Sequence, residues 1–425
     1  MKVLVVGGGG REHALIWKLK QSPRLTEIYC APGNGGIAGD AECIPYKPEE
    51  INGLRDFTLK EKIDLTVVGP EAPLVAGIVD LFEASGLRVF GPSARAAQLE
   101  GSKVFAKEAM RRYGIPTAAF QLFREYEPAC RYVRSLAGPC VVKADGLAAG
   151  KGVIVADNQA EAEDAVRLIM KEKAFGGAGD AVIIEERLEG EEVSVLAFTD
   201  GHTVLPMVAS QDHKRAGDGD SGPNTGGMGA YSPPPVYSPS LHEQVCSEVL
   251  APLIHGLQRD GIIYRGVIYA GLMITAGGPY VLEFNCRFGD PETQVVIPRL
   301  RNDLLEVLEA VLSARLSEIE LEWDPRPAAC VVIASGGYPG PYEKGKVISG
   351  LGQVPPDILV FHSGTSQSGS HLVTAGGRVL NVTALGNTIE EAVRRAYQGV
   401  DGIYFEGMHF RRDIAHRALN HEWRK

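Results

Sequence analysis

The sequence predicts a multidomain protein that combines an α/β region with α+β regions, and three observations support this. The chain has 425 residues, more than one ordinary hydrophobic core accommodates. Over residues 1–100, short apolar strands alternate with helical patterns, which is typical of a parallel, doubly wound sheet. From Cys140 onwards the pattern changes to strands joined by glycine-rich turns.

Hydrophobic periodicity places the individual elements. In the first region it predicts strands at Lys2–Val6, Glu27–Cys30, Leu65–Val68 and Arg88–Phe90, and helices at Glu12–Gln21 and Leu74–Ser85. Another helix is predicted to begin after Ser102, which would be its N-cap. Later strands are predicted at Val153–Val155, Val182–Glu186 and Glu192–Phe198, and a helix at Leu241–Arg259.

Two stretches have no periodic pattern. The polar stretch 211–235 predicts a long loop without regular structure, and such loops are usually functional or disordered. Trp323–Pro327 indicates a linker that precedes a last, small α+β unit.

Composition and charge narrow the class of protein. Hydrophobic residues make up 44% and charged residues 23%, as in soluble globular proteins. The net charge is -10 and no basic stripe occurs, so we expect no nucleic-acid partner. No segment has the length of a signal peptide or a membrane span. Seven cysteines without paired spacing indicate free thiols, so we expect a cytoplasmic protein without membrane contact.

The most informative segment is the apolar strand that contains Glu283 and Asn285. Side chains alternate across a strand, so these two point to the same face. A carboxylate and an amide there suit Mg²⁺ or Mn²⁺ when phosphate oxygens and water complete the coordination. Arg287 follows and could hold a carboxylate or phosphate. The alternative is an edge strand with solvated polar residues.

The first glycine cluster, Gly7–Gly10, lies between a strand and a helix, where exposed amides bind phosphate well. It lacks the third glycine of the dinucleotide fingerprint, and no acid follows Tyr29. A mononucleotide or sugar phosphate is therefore favoured over NAD. Pro32–Gly36 and Gly69–Pro73 follow the next two strands, where ligands bind in such sheets; ordinary tight turns remain the alternative.

Two further segments indicate nucleotide binding. Val141–Val153 fails the P-loop template but predicts a glycine-rich hairpin that could fold over ATP phosphates, with Lys143 at the strand end. Glu185–Glu192 connects two strands and could offer backbone groups to adenine and a carboxylate to ribose. A solvated acidic face is the alternative for that connection.

The segment Asp212–Gly229 is rich in glycine and polar donors, which suits a closing lid. No glutamate stands at the distance that a calcium loop requires. We expect His213 to be a hydrogen-bonding loop residue and not a metal ligand.

Taken in order, these motifs resemble the ATP-grasp ligases, and among them the glycinamide ribonucleotide synthetase (phosphoribosylamine–glycine ligase) family. The segments that carry the resemblance are Gly8–His13, Pro32–Gly36, Asn224–Tyr231 and Arg287–Gln294. The resemblance covers essentially the whole chain. It implies a Rossmann-like substrate domain at 1–100, an ATP-grasp domain at 101–326 with a mobile ATP lid at 120–190, and a C-terminal α+β domain at 327–425.

The resemblance also implies roles for matching residues. ATP-binding roles fall to Lys103, Lys143, Gly150, Glu185, Glu186, Leu188 and Glu192. Substrate-binding roles fall to Gly8, Gly9, Gly10, Arg11, Asn34, Glu71, Asp212, Lys214, Thr225, Gly226, Gly227, Arg287, Gly289 and Asp290. Arg287, Lys143 and Asp212 would be catalytic, and Glu283 and Asn285 would hold the metal. Many ATP-grasp proteins have another metal carboxylate where this chain has Gly271, so Asp212 is a speculative extra ligand.

The implied reaction joins glycine to 5-phosphoribosylamine at the expense of ATP, through glycyl phosphate, in purine biosynthesis. The expected partners are ATP, glycine and phosphoribosylamine, and the expected state is a monomer or weak homo-oligomer. Three alternatives stay open: another ATP-grasp carboxylate–amine ligase, an NAD-linked oxidoreductase and a catalytically silent nucleotide sensor.

Overall fold

The computed structural model describes residues 1–147 and 152–421. Its first unit is a five-stranded, all-parallel sheet in the order β3-β2-β1-β4-β5. The strands are β1 (Lys2–Gly7), β2 (Glu27–Pro32), β3 (Glu42–Cys43), β4 (Leu65–Val68) and β5 (Val89–Phe90). The helices are α1 (Gly10–Leu19), α2 (Ile51–Glu61), α3 (Glu71–Val75), α4 (Ile78–Ala84) and α5 (Gln98–Gly101). The predicted parallel sheet is confirmed.

One helix of this unit differs from the prediction. The pattern over Leu74–Ser85 predicted a single helix, but two short helices occupy the region. Gly77 separates them with a φ of 88°, a left-handed conformation that glycine adopts without steric cost. The single-helix prediction is therefore wrong.

The second unit is an antiparallel sheet covered by two helices. It contains α6 (Lys103–Tyr113), β6 (Phe120–Phe123), α7 (Tyr126–Ser135), β7 (Cys140–Ala144), β8 (Val153–Ala156), α8 (Gln159–Met170) and β9 (Val182–Glu186). The strand order is β6-β9-β7-β8. Val142, Ile184 and Val166 belong to a hydrophobic cluster of its own, so this sheet has a separate small core.

The next stretch supplies the second sheet of the central region. Its elements are β10 (Glu191–Thr199), β11 (Val204–Pro206), β12 (Gln211–Asp212), β13 (Arg215–Gly217), β14 (Ser221–Asn224), β15 (Gly229–Ser232), α9 (Pro239–Val245), α10 (Ala251–Arg259), β16 (Gly266–Thr275) and β17 (Gly278–Asn285). Strands β11-β10-β16-β17 form an antiparallel sheet in that order. A π-helical turn joins α9 to α10, which confirms the helix predicted at Leu241–Arg259.

The prediction of a structureless loop at 211–235 is wrong. The segment contains β12 to β15, and β13 pairs with β14 as a hairpin. These strands have only two to four residues, too few to generate a period-two pattern. Their pairing depends on partners that are distant in sequence.

Two helices follow β17, namely α11 (Thr293–Val296) and α12 (Leu304–Leu312). Leu305 and Leu308 of α12 share a hydrophobic cluster with Val5 of the first sheet, so α12 packs on the first unit. The last unit contains β18 (Ala328–Ala334), β19 (Leu359–His362), β20 (Thr365–Ser368), β21 (His371–Thr374), β22 (Arg378–Leu385), α13 (Ile389–Asp401) and α14 (His416–His421). Its sheet has the order β12-β15-β18-β22-β19. Two strands of this sheet therefore come from the segment 211–232, so that segment is fixed to the C-terminal unit.

All seven cysteines are free thiols, as their spacing predicted. Among the described helices, none combines the length and apolar character that crossing a membrane requires.

Candidate active site

The centre of the candidate site is one face of the sheet at β16 and β17. Glu283 pairs with Gly271 and Asn285 pairs with Tyr269, so the carboxylate and the amide share a face as predicted. A Cβ atom at Gly271 would lie 3.3 Å from the Cγ atom of Glu283. Gly271, which replaces the carboxylate that many ATP-grasp proteins have at this position, therefore leaves room for the Glu283 side chain.

This pair of side chains fits a divalent cation. Within the described residues, neither Glu283 nor Asn285 hydrogen bonds through its side chain, so their oxygens are free to coordinate an ion. Carboxylate and amide oxygens are the hard donors that Mg²⁺ and Mn²⁺ accept.

Four cationic side chains converge on Glu283. Burial raises the pKa of Glu283, but the nearby positive charges outweigh burial and lower it overall. They are those of Lys214, Lys143, Lys103 and Arg287. None of them lies within ion-pair distance of the Glu283 carboxylate, so the positive field has room for anionic ligands such as phosphates.

Lys103 is the first residue of α6. Ser102 caps this helix, since its hydroxyl accepts from the amide of Phe105 at 3.1 Å, as predicted. The Lys103 ammonium donates to the carbonyl oxygen of Gly146 at 3.0 Å. The helix thereby connects to the glycine-rich hairpin. Gly150, predicted to bind ATP, lies outside the described residues.

A buried triad of charges lies beneath the hairpin. The Glu185 carboxylate is 2.9 Å from the ammonium of Lys143 and 3.0 Å from that of Lys107. Burial lowers the pKa of Lys107 to about 8, although Glu185 opposes the shift. The Glu185 carboxylate is thus committed to two lysines. Sequence reasoning missed Lys107, although it lies four residues after Lys103 on the same helix face.

The predicted adenine and ribose residues lie where β9 leads into β10. Glu186 is exposed, and its carboxylate accepts from the amide of Ala119 at 2.9 Å. Leu188 is half-buried in the connection between the two strands. Glu192, at the start of β10, pairs with Lys214 at 2.8 Å.

Arg287 is held by two carboxylates just beyond the end of β17. Its guanidinium donates to Glu100 at 2.8 Å and lies 3.3 Å from Glu71. Glu100 also accepts from the amide of Cys286 at 2.8 Å and from its thiol at 3.2 Å. Sequence reasoning missed Glu100, which no motif marks.

The first glycine cluster is packed tightly against its own helix. The amide of Gly9 donates to Glu12 at 2.6 Å, and Arg11 donates to the same carboxylate at 2.6 Å. Arg11 also donates to the carbonyl of Phe288 at 3.1 Å, so this loop contacts the signature segment. Any side chain at Gly8 would collide with the carbonyl oxygen of Gly33. Gly10 lies under Asn381 of the C-terminal unit.

The side chain of Asn34, predicted to bind substrate, forms hydrogen bonds within the protein. Its amide nitrogen donates to the carbonyls of Gly8 and His362, and its amide oxygen accepts from Gly36 and Ile37. Both polar atoms of the side chain are thus used within the protein. The Asn34 side chain therefore positions the glycine loop, and substrate binding by Asn34 stays a prediction.

Arg378, from β22, joins two predicted substrate segments. It lies 3.0 Å from the Asp290 carboxylate and donates to the carbonyl of Gly226 at 2.6 Å. Thr225 braces the same loop, since its hydroxyl accepts from Gly227 and donates to the carbonyl of Lys214. Arg378 was missed because it lies almost ninety residues from Asp290 in another unit.

Asp212, on β12, faces this centre. It is buried, and burial raises its pKa to about 7, opposed by Lys214 and assisted by Glu292 and Glu192. His213, next to it, accepts from the amide of Ala415 at 2.9 Å, which confirms its predicted role as a hydrogen-bonding loop residue. Sequence reasoning missed Glu292 and its neighbour Tyr269, whose hydroxyl donates to Glu292 at 3.1 Å.

Comparison with solved structures defines the class of this fold. The biotin carboxylase domain of the 2-oxoglutarate carboxylase of Hydrogenobacter thermophilus superposes with a TM-score of 0.75 at 17% identity, covering 96% of this chain and 91% of that chain. The phosphoribosylamine–glycine ligase of Thermotoga maritima superposes with a TM-score of 0.85 at 37% identity, covering 97% and 100%.

Comparison with protein sequences identifies the family within this class of fold. Residues 1–100, 101–293 and 328–417 match the N domain, the ATP-grasp (A) domain and the C domain of phosphoribosylglycinamide synthetase. Proteins named phosphoribosylamine–glycine ligase from Vibrio cholerae and Pseudomonas aeruginosa are 54% and 53% identical over 100% and 99% of both chains.

The fold and the site thus define an ATP-grasp protein. Within that class, the chain belongs to the phosphoribosylglycinamide synthetase family, which confirms the resemblance found in the sequence.

Proposed function

We propose that this protein is an ATP-dependent ligase that joins glycine to 5-phosphoribosylamine and releases ADP and phosphate, in purine biosynthesis. The printed name of its relatives, phosphoribosylamine–glycine ligase, states both joined substrates. The observation that carries the proposal is the convergence of four cationic side chains on the face bearing Glu283 and Asn285.

That arrangement matches the chemistry of amide formation. A carboxylate is a poor electrophile, so the glycine carboxylate first attacks the γ-phosphate of ATP and forms glycyl phosphate. The lysines and Arg287 stabilise the charge that spreads over the phosphoryl oxygens. The amine of phosphoribosylamine then attacks the acyl carbon and phosphate leaves. Positioning and electrostatics account for the rate, and no protein nucleophile takes part.

Glu283 and Asn285 would hold Mg²⁺ or Mn²⁺, which screens the charge of the ATP phosphates. Among the described residues, no group of three or more acidic, histidine or cysteine side chains could hold a metal by itself. Phosphate oxygens and water would therefore supply the remaining ligands. Lys103 and Lys143 contact the phosphates, and the β9–β10 connection binds adenine and ribose.

The test is release of phosphate by the purified protein with ATP, Mg²⁺, glycine and freshly generated phosphoribosylamine, omitting each in turn. Release should require every component. Glu283→Gln should lower turnover by about a hundredfold or more, since it replaces the one charged ligand of the metal by a neutral amide. Glu306→Gln, an exposed position on α12, is the matched control. Release driven by bicarbonate or formate instead of glycine would contradict the proposal.

A further inference from the structure

Lys107 is a buried cation to which no motif in the sequence gives a role. It lies on α6, is 3% exposed, and its ammonium is 3.0 Å from one oxygen of the Glu185 carboxylate. The ammonium also donates to the hydroxyl of Thr117 at 2.7 Å and lies 5.5 Å from the centre of the Phe120 ring. Burying an ammonium group is costly unless a partner of opposite charge accompanies it. Glu185 is that partner.

The surroundings of Lys107 are fixed by strands of two sheets. The hydroxyl of Thr117 donates to the carbonyl of Val281 on β17 at 2.7 Å, and these two residues form an isolated parallel bridge. Glu185 on β9 lies opposite the residue of β7 that precedes Lys143 by two positions. Because side chains two positions apart on a strand point the same way, Glu185 and Lys143 share one face of that sheet.

One buried carboxylate therefore serves two lysines. Glu185 is 3% exposed, and its other oxygen is 2.9 Å from the ammonium of Lys143. Lys143 also donates to the carbonyl of Leu282 at 3.2 Å. Burial lowers the pKa of Lys107 to about 8, and Glu185 opposes that shift, so Lys107 is mostly protonated at neutral pH. With both lysines charged, the group carries one positive charge in excess.

The excess charge is important because Lys143 has a second role in the proposed function. Its ammonium contacts the ATP phosphates, and these attract the same N–H donors and the same charge as Glu185 does. With Lys143 as its only cation, Glu185 would compete with the phosphates for that ammonium and would repel them as a like charge. A second lysine, paired with the other carboxylate oxygen, removes this competition.

We propose that Lys107 is a positioning residue that balances the charge of Glu185, so that the Lys143 ammonium is available to the ATP phosphates. The inference rests on the proposed function, because it requires Lys143 to bind those phosphates. Lys103 differs from Lys107, although both lie on one face of α6, since its ammonium donates to the neutral carbonyl of Gly146 at 3.0 Å. Lys107 acts on the nucleotide only through Glu185 and Lys143.

The test measures binding of a non-hydrolysable ATP analogue with Mg²⁺ to the full-length protein by calorimetry. Lys107→Gln removes the charge but keeps a donor for Thr117. It should weaken binding by about tenfold or more, because a buried carboxylate then has Lys143 as its only cation. In a Glu185→Gln background the same substitution should change binding by less than about twofold, since no carboxylate competes for Lys143.

Steady-state kinetics give a second measurement on the same four proteins. The KM for ATP should follow the pattern of the analogue, and the KM for glycine should stay unchanged. A purely structural role of Lys107 would produce no such dependence on residue 185. Lys60→Gln, at an exposed lysine of α2, is the matched control and should leave both measurements unchanged.

Two results would overturn the role of Lys107. Unchanged affinity in Lys107→Gln would show that its charge is not needed. Equal loss in both backgrounds would show that Lys107 acts through packing or through Thr117. If Lys107→Gln alone does not fold, the double variant decides, because it should bind the analogue as Glu185→Gln does and weaker binding would contradict the proposal. Failure of the proposed function is distinguishable, because the unmodified protein would then release no phosphate in response to glycine.

Discussion

The orientation of Arg287 depends on Glu100, a carboxylate that belongs to none of the motifs found in the sequence. Glu100, on α5, accepts from the Arg287 guanidinium and from the backbone amide of Cys286. Burial raises the pKa of Glu100, although the charge of Arg287 opposes this. When a carboxylate holds one side of a buried guanidinium, the N–H donors on its other side keep a fixed direction. Glu100 is therefore a positioning residue.

We expect Glu100→Gln to lower kcat/KM by about ten- to a hundredfold, as removal of a supporting residue does at other sites. The amide of glutamine carries no charge to balance Arg287, which keeps only Glu71 at 3.3 Å, so the orientation of the guanidinium should be less fixed. Steady-state kinetics with each substrate varied in turn would measure the loss. An unchanged kcat/KM, with Glu306→Gln run beside it, would contradict the role of Glu100.

At the scale of elements, the β13–β14 hairpin is held by the C-terminal segment. Arg411 is fully buried and contacts Asp220 at 2.8 Å and Asp413 at 2.7 Å. It also donates to the carbonyl of Arg215 at 3.2 Å. The hairpin continues from the strand that carries Asp212. The C-terminal segment thereby anchors the hairpin that follows Asp212 in the chain.

Arg411→Met should destabilise the protein by about 2–4 kcal/mol, because it removes a fully buried cation from Asp413 and Asp220 and leaves Asp220 with its pairing to Arg417 at 2.6 Å. Hydrogen exchange in the hairpin should accelerate, since its anchor is lost. Urea unfolding and amide exchange over 213–225 would measure both effects. Arg412→Met, at the exposed neighbouring position, should leave both unchanged; equal effects would show that the ion pairs are not the cause.

The elements also explain what the sequence could and could not predict. Leu65–Val68 was predicted with its observed limits because a fully buried strand is mainly apolar and β-branched, and Thr66 is the only polar residue of this one. Glu283 and Asn285 were found because strand alternation is a local property. Arg378 had no local signal, since its partners come from two other segments. Asn34 carried a motif match, but only long-range hydrogen bonds reveal that its amide is fully used.

At the scale of the whole molecule, the first and last units are joined directly. His13 on α1 accepts from the backbone amide of His362 at 2.8 Å, and its ring lies 3.0 Å from Asp40. The carbonyl of His362 accepts from Asn34, and the amide of Gly35 donates to the carbonyl of Thr365 at 3.0 Å. The C-terminal unit therefore forms part of the support for the glycine loops of the first sheet.

This contact predicts an acid-dependent loss of stability. Burial lowers the pKa of His362 from 6.5 to about 3, with His13 adding to the shift and Asp40 opposing it. As the pH falls below 6.5, the unfolded chain binds a proton that the folded chain does not. Stability should therefore decrease by up to about 1.4 kcal/mol per pH unit for this group, and level off near pH 3.

His362→Gln should remove this contribution, so the free energy of unfolding should depend less steeply on pH between 6.5 and 4.5. Asp40, which contacts His13 at this junction, stays ionised across that window, because the His13 hydrogen bond lowers its pKa to about 2. Urea unfolding at half-unit pH steps would give the slopes. His371→Gln, at an exposed histidine, should retain the original slope. Equal slopes for both variants would mean that His362 titrates alike in the folded and unfolded chain.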